Sequence, residues 1–253
     1  MTAHPLELLA SQIKAARRLT ILTGAGVSAA SGVPTFRGPH GLWRQYRAED
    51  LATPEAFARD PELVWEWYAM RREKIAACEP NAAHFVVADW ARRSSAISTL
   101  QVVVITQNVD DLHLRAGTPG LVRLHGSIWE MSCWERCPKG TLPWRDERVT
   151  LSPLPPQCPH CGGLARPAVV WFGESLDGAV LQNALKAAEC DVFLAVGTSS
   201  VVYPAAGLVH DAQRRGAFTA EINLEDTPAS SVVNTTLHGS ADVILTALNA
   251  LLE

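Results

Sequence analysis

Short, unbroken runs of β-branched and other apolar residues, each stopped by a small or polar cluster, constrain this chain most. Residues 19–23 run into Gly24, 102–106 into Gln107, 192–196 into Gly197 and 217–222 into Asn223, and 242–245 reads as one more such run. A strand with one wet face alternates polar and apolar residues, whereas an unbroken run is covered on both faces. The expectation is therefore an α/β fold, a parallel sheet with helices on both sides. Ligands of such sheets bind beyond the carboxyl ends of the strands. Those positions carry Gly24-Ala25-Gly26, Gln107-Asn108-Val109-Asp110, Gly197-Thr198-Ser199 and Asn223-Leu224-Glu225, so one shared site is expected.

Two stretches break this rhythm. Residues 38–80 are rich in Trp, Arg and Glu, with helical spacing from Pro61 onward, and 126–167 are rich in Pro and Cys with little periodicity. Both read as insertions that build a smaller lobe. This divides the chain into a sheet domain made of 1–37, 81–125 and 168–253, a helical insert of 38–80 and a zinc-binding insert of 126–167. With 253 residues, 47% of them hydrophobic, the chain can bury a sizeable core. Its 22 basic and 26 acidic residues leave −4, which argues against a general nucleic-acid binder. No apolar run nears the roughly 20 residues of a membrane span. The first 14 residues lack the basic, apolar and small-residue order of an export signal, so a cytoplasmic protein with no membrane partner is expected.

Cys133 and Cys137 are separated by three residues, Cys158 and Cys161 by two, and the pairs by 20. Four thiolates in two short turns make a closed tetrahedral zinc site, with no open position for water or substrate and hence a structural role. The competing reading is four unligated thiols. Cys78 and Cys190 have no close partner and read as small core or surface residues.

Run 19–23 leads into a loop where Gly24, Gly26 and Ala29 fit G-x-G-x-x-G/A, a pattern that lets backbone N–H groups approach a pyrophosphate. A tight strand-to-helix turn without a ligand fits the same residues. Hydride-transfer enzymes place an acidic residue about 20 positions further on, closing a second strand. Here Glu49 and Asp50 fall in the first insertion instead, while Asn223-Leu224-Glu225 could hold an adenosine ribose. His125 follows the apolar run 121–124 and is a candidate general base, because imidazole ordinarily titrates near 6.5; a structural histidine accounts equally for His125 by itself.

Taken in order, Gly-Ala-Gly-Val-Ser-Ala-Ala-Ser-Gly-Val-Pro-Thr-Phe-Arg-Gly (24–38), Thr-Gln-Asn-Val-Asp (106–110) and Leu-His-Gly (124–126) resemble the sirtuin family. The cysteine pairs, Val-Trp-Phe-Gly-Glu (170–174), Gly-Thr-Ser-Ser-Val-Val-Tyr-Pro (197–204) and Asn-Leu-Glu (223–225) extend the resemblance over nearly the whole chain. It implies an NAD-dependent protein-lysine deacylase with a Rossmann-like large domain, a zinc-plus-helical small domain, one structural zinc per chain and NAD as co-substrate. The partners implied are acylated lysine side chains of proteins.

By the same resemblance, Gly24, Ala25 and Gly26 contact the pyrophosphate, and Ser28, Pro34, Phe36, Arg37 and Trp43 line a loop that closes over the cofactor. Asn108 and Asp110 hold the nicotinamide and its ribose, flanked by Gln107 and Val109. Gly197, Thr198, Ser199, Asn223, Leu224, Glu225 and the backbone of Ala241 hold the adenosine half. His125 deprotonates a ribose hydroxyl, so that the acyl group passes to ADP-ribose and lysine is freed. Segments 170–173, through Val170, Phe172 and Gly173, and 201–203 pair with an extended substrate peptide. Two departures stand out: the wider first cysteine spacing, which bears on zinc binding, and Trp171 in place of the usual Phe, with neither expected to touch the chemistry.

Residues 62–78 read as a helix in which Val64, Tyr68, Arg71 and Ile75 share a face that is apolar except for Arg71, with a neighbouring stripe through Leu63, Trp67 and Met70. A guanidinium there either snorkels to water or pairs with an anion, and Tyr68 adds a hydroxyl on the same face. Tyr-x-x-Arg and the flanking Leu-Ala-Thr-Pro-Glu-Ala-Phe-Ala (51–58) resemble the class III sirtuins, which favour succinyl, malonyl and glutaryl lysine. Ala52 would then be the small residue that leaves the pocket deep. Two other functions use the same fold: an ADP-ribosyltransferase and a non-catalytic NAD sensor.

Overall fold

The structure, a computed structural model, describes residues 4–35, 48–96 and 100–253. In chain order, α1 (Pro5–Ala15), β1 (Arg18–Thr23) and a 3-10 turn (Ala25–Ser31) lead to the short helices α2 (Ala48–Leu51) and α3 (Pro54–Arg59). Next come α4 (Pro61–Ala76), α5 (Ala82–Ala96), β2 (Gln101–Thr106), α6 (Leu112–Arg115), β3 (Val122–Arg123), β4 (Gly126–Cys133), β5 (Trp144–Arg145) and β6 (Ala165–Val169). The chain ends with α7 (Gly178–Ala187), β7 (Val192–Val196), α8 (Gly207–Arg214), β8 (Phe218–Asn223), β9 (Thr235–His238) and α9 (Ala241–Leu252).

Six strands form the main sheet in the order β3-β2-β1-β7-β8-β9, and every neighbouring pair is parallel. Both faces are covered, as the unbroken apolar runs require. Leu19, Ile21 and Leu194 join residues of α1, α5 and α9 in one core, and Leu22, Phe193 and Ile105 join residues of α7 and α8 in another. Strand order reverses at β1, and the carboxyl edge at such a reversal is where a ligand crevice opens.

One expected strand is corrected. Residues 242–245 lie in helix α9, and the sixth strand is β9, the unremarked Thr-Thr-Leu-His. Ala241, Leu245 and Leu248 are buried at helical spacing while Val243 is 60% exposed, so the run is the inner face of a helix; a short apolar run does not distinguish the two.

The second lobe joins the antiparallel sheet β5-β4-β6 to α2–α4 around a separate core that includes Phe57, Trp65, Tyr68, Ile128 and Trp171. Strand β6 runs through the boundary expected at 167. Thr53 and Asp60 start α3 and α4 by accepting N–H bonds from Ala56 and Leu63, each with proline in the first turn. Helix α4 is wedged into this lobe by two residues outside the expected face. The Trp65 indole donates to the Ala165 carbonyl over 2.8 Å, and the buried Arg72 donates to the Ile128 carbonyl over 2.7 Å and pairs with Asp146 at 3.1 Å. Among the described residues no helix is long and apolar enough to cross a membrane.

Candidate active site

A cavity of about 580 Å³ opens between the carboxyl edge of the main sheet and the smaller lobe. The four clusters expected to meet do so. The Gly24 and Gly26 amides donate to the carbonyls of Val196 and Gly197, the Gln107 side chain donates to Thr198 Oγ1 over 2.8 Å, and the Asn223 side chain donates to the Thr198 carbonyl. The glycines have a reason beyond ligand approach. A Cβ on Gly24 would lie 2.8 Å from the Gly197 carbonyl, and one on Gly197, at φ +58, would lie 2.5 Å from the Val27 nitrogen. The two loops pack backbone on backbone, which takes up the Gly24 and Gly26 amides, and Ala25, at the head of the 3-10 turn, is in the cavity lining.

Gly24, Ala25, Gly26, Gln107, Asn108, Val109, His125, Gly197, Thr198 and Ser199 line this cavity, as do Asn223, Leu224, Glu225 and Ala241. Ser28 and Asp110 do not; both are buried behind the wall. There the Ser28 hydroxyl donates to Asp110 Oδ2 over 2.8 Å, and the Asn108 amide donates to Ser28 Oγ and the Gly24 carbonyl, each over 3.1 Å. With both amide hydrogens engaged, the Asn108 side-chain carbonyl is the group left for a ligand. Burial raises the Asp110 pKa, against the Leu112 amide and Ser28 hydroxyl that stabilise its charge. Pro34 sits outside the lining, beside Arg71 and Ile75. Phe36, Arg37 and Trp43 lie outside the described residues.

Sequence reading passed over a histidine pair behind this wall. His84 Nδ1 accepts from the Asn81 amide, so its Nε2 donates to Ser28 Oγ at 3.3 Å; His113 packs edge-on at 4.8 Å between ring centroids. Burial pushes His84 down to about 4, and burial with the His84 neighbour pushes His113 down to about 3, so both rings are neutral, and His84 is the donor that braces the loop.

His125 Nδ1 lies 2.9 Å from the Gln107 carbonyl. A carbonyl only accepts, so Nδ1 carries the proton and Nε2 keeps its lone pair. Burial lowers the His125 pKa, opposed by that bond, which favours the neutral base.

On the wall supplied by α4, Tyr68 and Arg71 line the cavity with Ala52, Trp67 and Trp171. The Arg71 guanidinium lies 4.6 Å from the Trp67 ring centroid and 5.5 Å from that of Tyr68, and among the described residues it is the one positively charged lining side chain. Burial lowers its pKa, opposed by Tyr68 and Asp110, yet a guanidinium stays charged at neutral pH. Burial raises the Tyr68 pKa, keeping the phenol a neutral donor.

Val170, Phe172 and Gly173 also line the cavity. The Val170, Trp171 and Phe172 amides already donate to the His125 carbonyl, the Glu174 carboxylate and the Ala52 carbonyl.

Cys133, Cys137, Cys158 and Cys161 place their Sγ atoms within 4.8 Å of one another, with pairs at 3.6 and 3.8 Å. A tetrahedron with Zn–S bonds of about 2.3 Å has edges of about 3.8 Å, so the four thiols fit zinc despite the wider first spacing. Cys78 and Cys190 are buried elsewhere.

The sequence profile of the Sir2 family matches residues 24–204. NAD-dependent protein deacylase 1 of Caldanaerobacter subterraneus is 44% identical over 88% of this chain and 89% of its own length. The mitochondrial NAD-dependent protein deacylase sirtuin-5 of Canis lupus familiaris is 47% identical over 85% of this chain and 76% of its own length. A crystal structure of a Sir2 homologue with NAD superposes with a TM-score of 0.86 at 43% identity, covering 98% of this chain and 95% of that one. Sequence and backbone thus agree across the sheet, the zinc lobe and the cavity between them, and the chain belongs to the Sir2 family.

Proposed function

We propose that this chain is an NAD-dependent protein-lysine deacylase that prefers acidic acyl groups, succinyl, malonyl or glutaryl, over acetyl. The observation that carries the preference is the Arg71 guanidinium beside the Tyr68 hydroxyl in the wall of the cavity that holds His125. A terminal carboxylate between them gains a charge-assisted pair and a neutral hydrogen bond, and an acetyl group gains neither. Relatives named as deacylases, and sirtuin-5 among them, support the reading.

NAD, when bound, supplies a glycosidic bond whose breakage releases nicotinamide and leaves an anomeric carbon able to take the acyl oxygen. The residues around it have separate tasks. Gly24, Gly26 and Gly197, with the small Ala25 between the first two, form a floor nearly bare of side chains, and Asn223 and Glu225 line the cavity as well. Asn108 offers its carbonyl, held in place by Ser28 and Gly24. His125 Nε2 would accept a ribose hydroxyl proton, preparing that oxygen to take over the acyl group, with a water molecule supplying the oxygen needed as the lysine amine leaves.

Nicotinamide release on matched acetyl-, succinyl-, malonyl- and glutaryl-lysine peptides tests this. The expected result is release that requires an acyl-lysine and is fastest with the acidic groups. Release without any acyl-lysine would point to ADP-ribosyl transfer, and a preference for acetyl would remove the carboxylate clamp.

A further inference from the structure

We propose that Trp171 is a specificity-determining residue: its indole N–H fixes the direction in which Tyr68 presents its hydroxyl proton. The inference rests on the acidic-acyl reading above. The indole nitrogen donates to Tyr68 Oη over 2.9 Å, and both side chains line the cavity with Arg71. A phenol oxygen accepts from one group and donates its proton to another. With an acceptor position taken by Trp171, the hydroxyl proton turns away from the indole and toward an acceptor beside Arg71. A carboxylate, which only accepts, takes that proton together with the guanidinium.

Trp171 is held on every side. The Arg166 guanidinium lies 3.6 Å from its ring centroid, Glu174 pairs with Arg166 at 2.5 Å and accepts the Trp171 backbone N–H at 2.9 Å, and the Phe57 ring lies 5.4 Å away. Tyr68 and Trp171 are 1% and 2% exposed, so each polar tip depends on the other for a partner. A phenylalanine at 171 would keep a smaller aromatic ring in the same place and remove the donor, leaving Tyr68 free to point its proton elsewhere.

The test is steady-state kinetics at saturating NAD on matched succinyl- and acetyl-lysine peptides, with wild type, Trp171→Phe, Tyr68→Phe and the double variant. The ratio of kcat/KM for the two peptides on one preparation is independent of the fraction folded. Trp171→Phe is expected to lower the succinyl-to-acetyl ratio about fivefold, through KM for the succinyl peptide with kcat retained. In the Tyr68→Phe background the same substitution is expected to move the ratio by less than about twofold, because the coupling partner is gone. An unshifted ratio in Trp171→Phe, or an equal shift in both backgrounds, overturns the role of Trp171 while leaving the carboxylate clamp standing. A wild-type enzyme that prefers the acetyl peptide overturns the acidic-acyl reading and this inference with it.

Discussion

The Nδ1 atom of His125 and the backbone carbonyl of Gln107 stand 2.9 Å apart, which dictates the imidazole tautomer and leaves the lone pair on Nε2, where the proposed base needs it. Because burial lowers the His125 pKa, the neutral form is present above that lowered value and is lost as pH falls through it. The acid limb of kcat/KM is therefore expected below the ordinary imidazole value of 6.5, and His125→Ala should lower turnover about 100- to 10,000-fold with NAD affinity retained. A pH profile centred above 6.5, or wild-type turnover in His125→Ala, would contradict the assignment.

Arg71→Met keeps the length and the apolar stem while removing the charge. The KM for a succinyl-lysine peptide is expected to rise about ten- to a hundredfold, the range of a charge-assisted hydrogen bond, with a much smaller change on acetyl-lysine. Equal losses on the two peptides would sink the clamp.

The histidine pair predicts acid sensitivity. His84 and His113 are neutral when folded down to about 4 and about 3, but protonate near 6.5 once unfolded. The unfolded state binds the extra protons, so stability is fully present above 6.5 and falls on acidification toward 4, by about 1.4 kcal/mol per pH unit for each histidine. Thermal unfolding followed from pH 7 to pH 5 checks this. A Tm that holds constant or rises over that interval would contradict the neutral pair.

Gly140 sits against the thiols: an added Cβ would lie 2.5 Å from Cys133 Cβ and 2.8 Å from Cys137 Sγ. Gly140→Ala is expected to lower zinc per chain, measured by elemental analysis, and to lower Tm. Full zinc content with an unchanged Tm would mean that the knuckle yields without effect on the metal.

The features that were legible in the sequence are local ones. The run 192–196 marks β7 because a strand buried on both faces has nowhere to place a polar residue, and two cysteine turns announce a chelate because chelation is itself short-range. The misreading of 242–245 comes from the same logic, since an inward helical face over four residues is as apolar as a buried strand. That four strand-end clusters share one site follows from the rule for parallel sheets, but the individual contacts between distant segments do not. Tyr68 and Trp171 are 103 residues apart in the chain, and the backbone packing of Gly24 on Gly197 depends on β7 folding beside β1.

Helix α4 places two arginines side by side and sends them to opposite duties. Arg71 lines the cavity, and Arg72 grips the Ile128 carbonyl on the strand that ends at Cys133. A single peptide bond therefore links the proposed carboxylate clamp to the metal module. The same strand begins one residue after His125, so the metal module, the histidine and the helix that carries Arg71 share one rigid piece of backbone, and loosening the metal would be felt at both ends of the cavity.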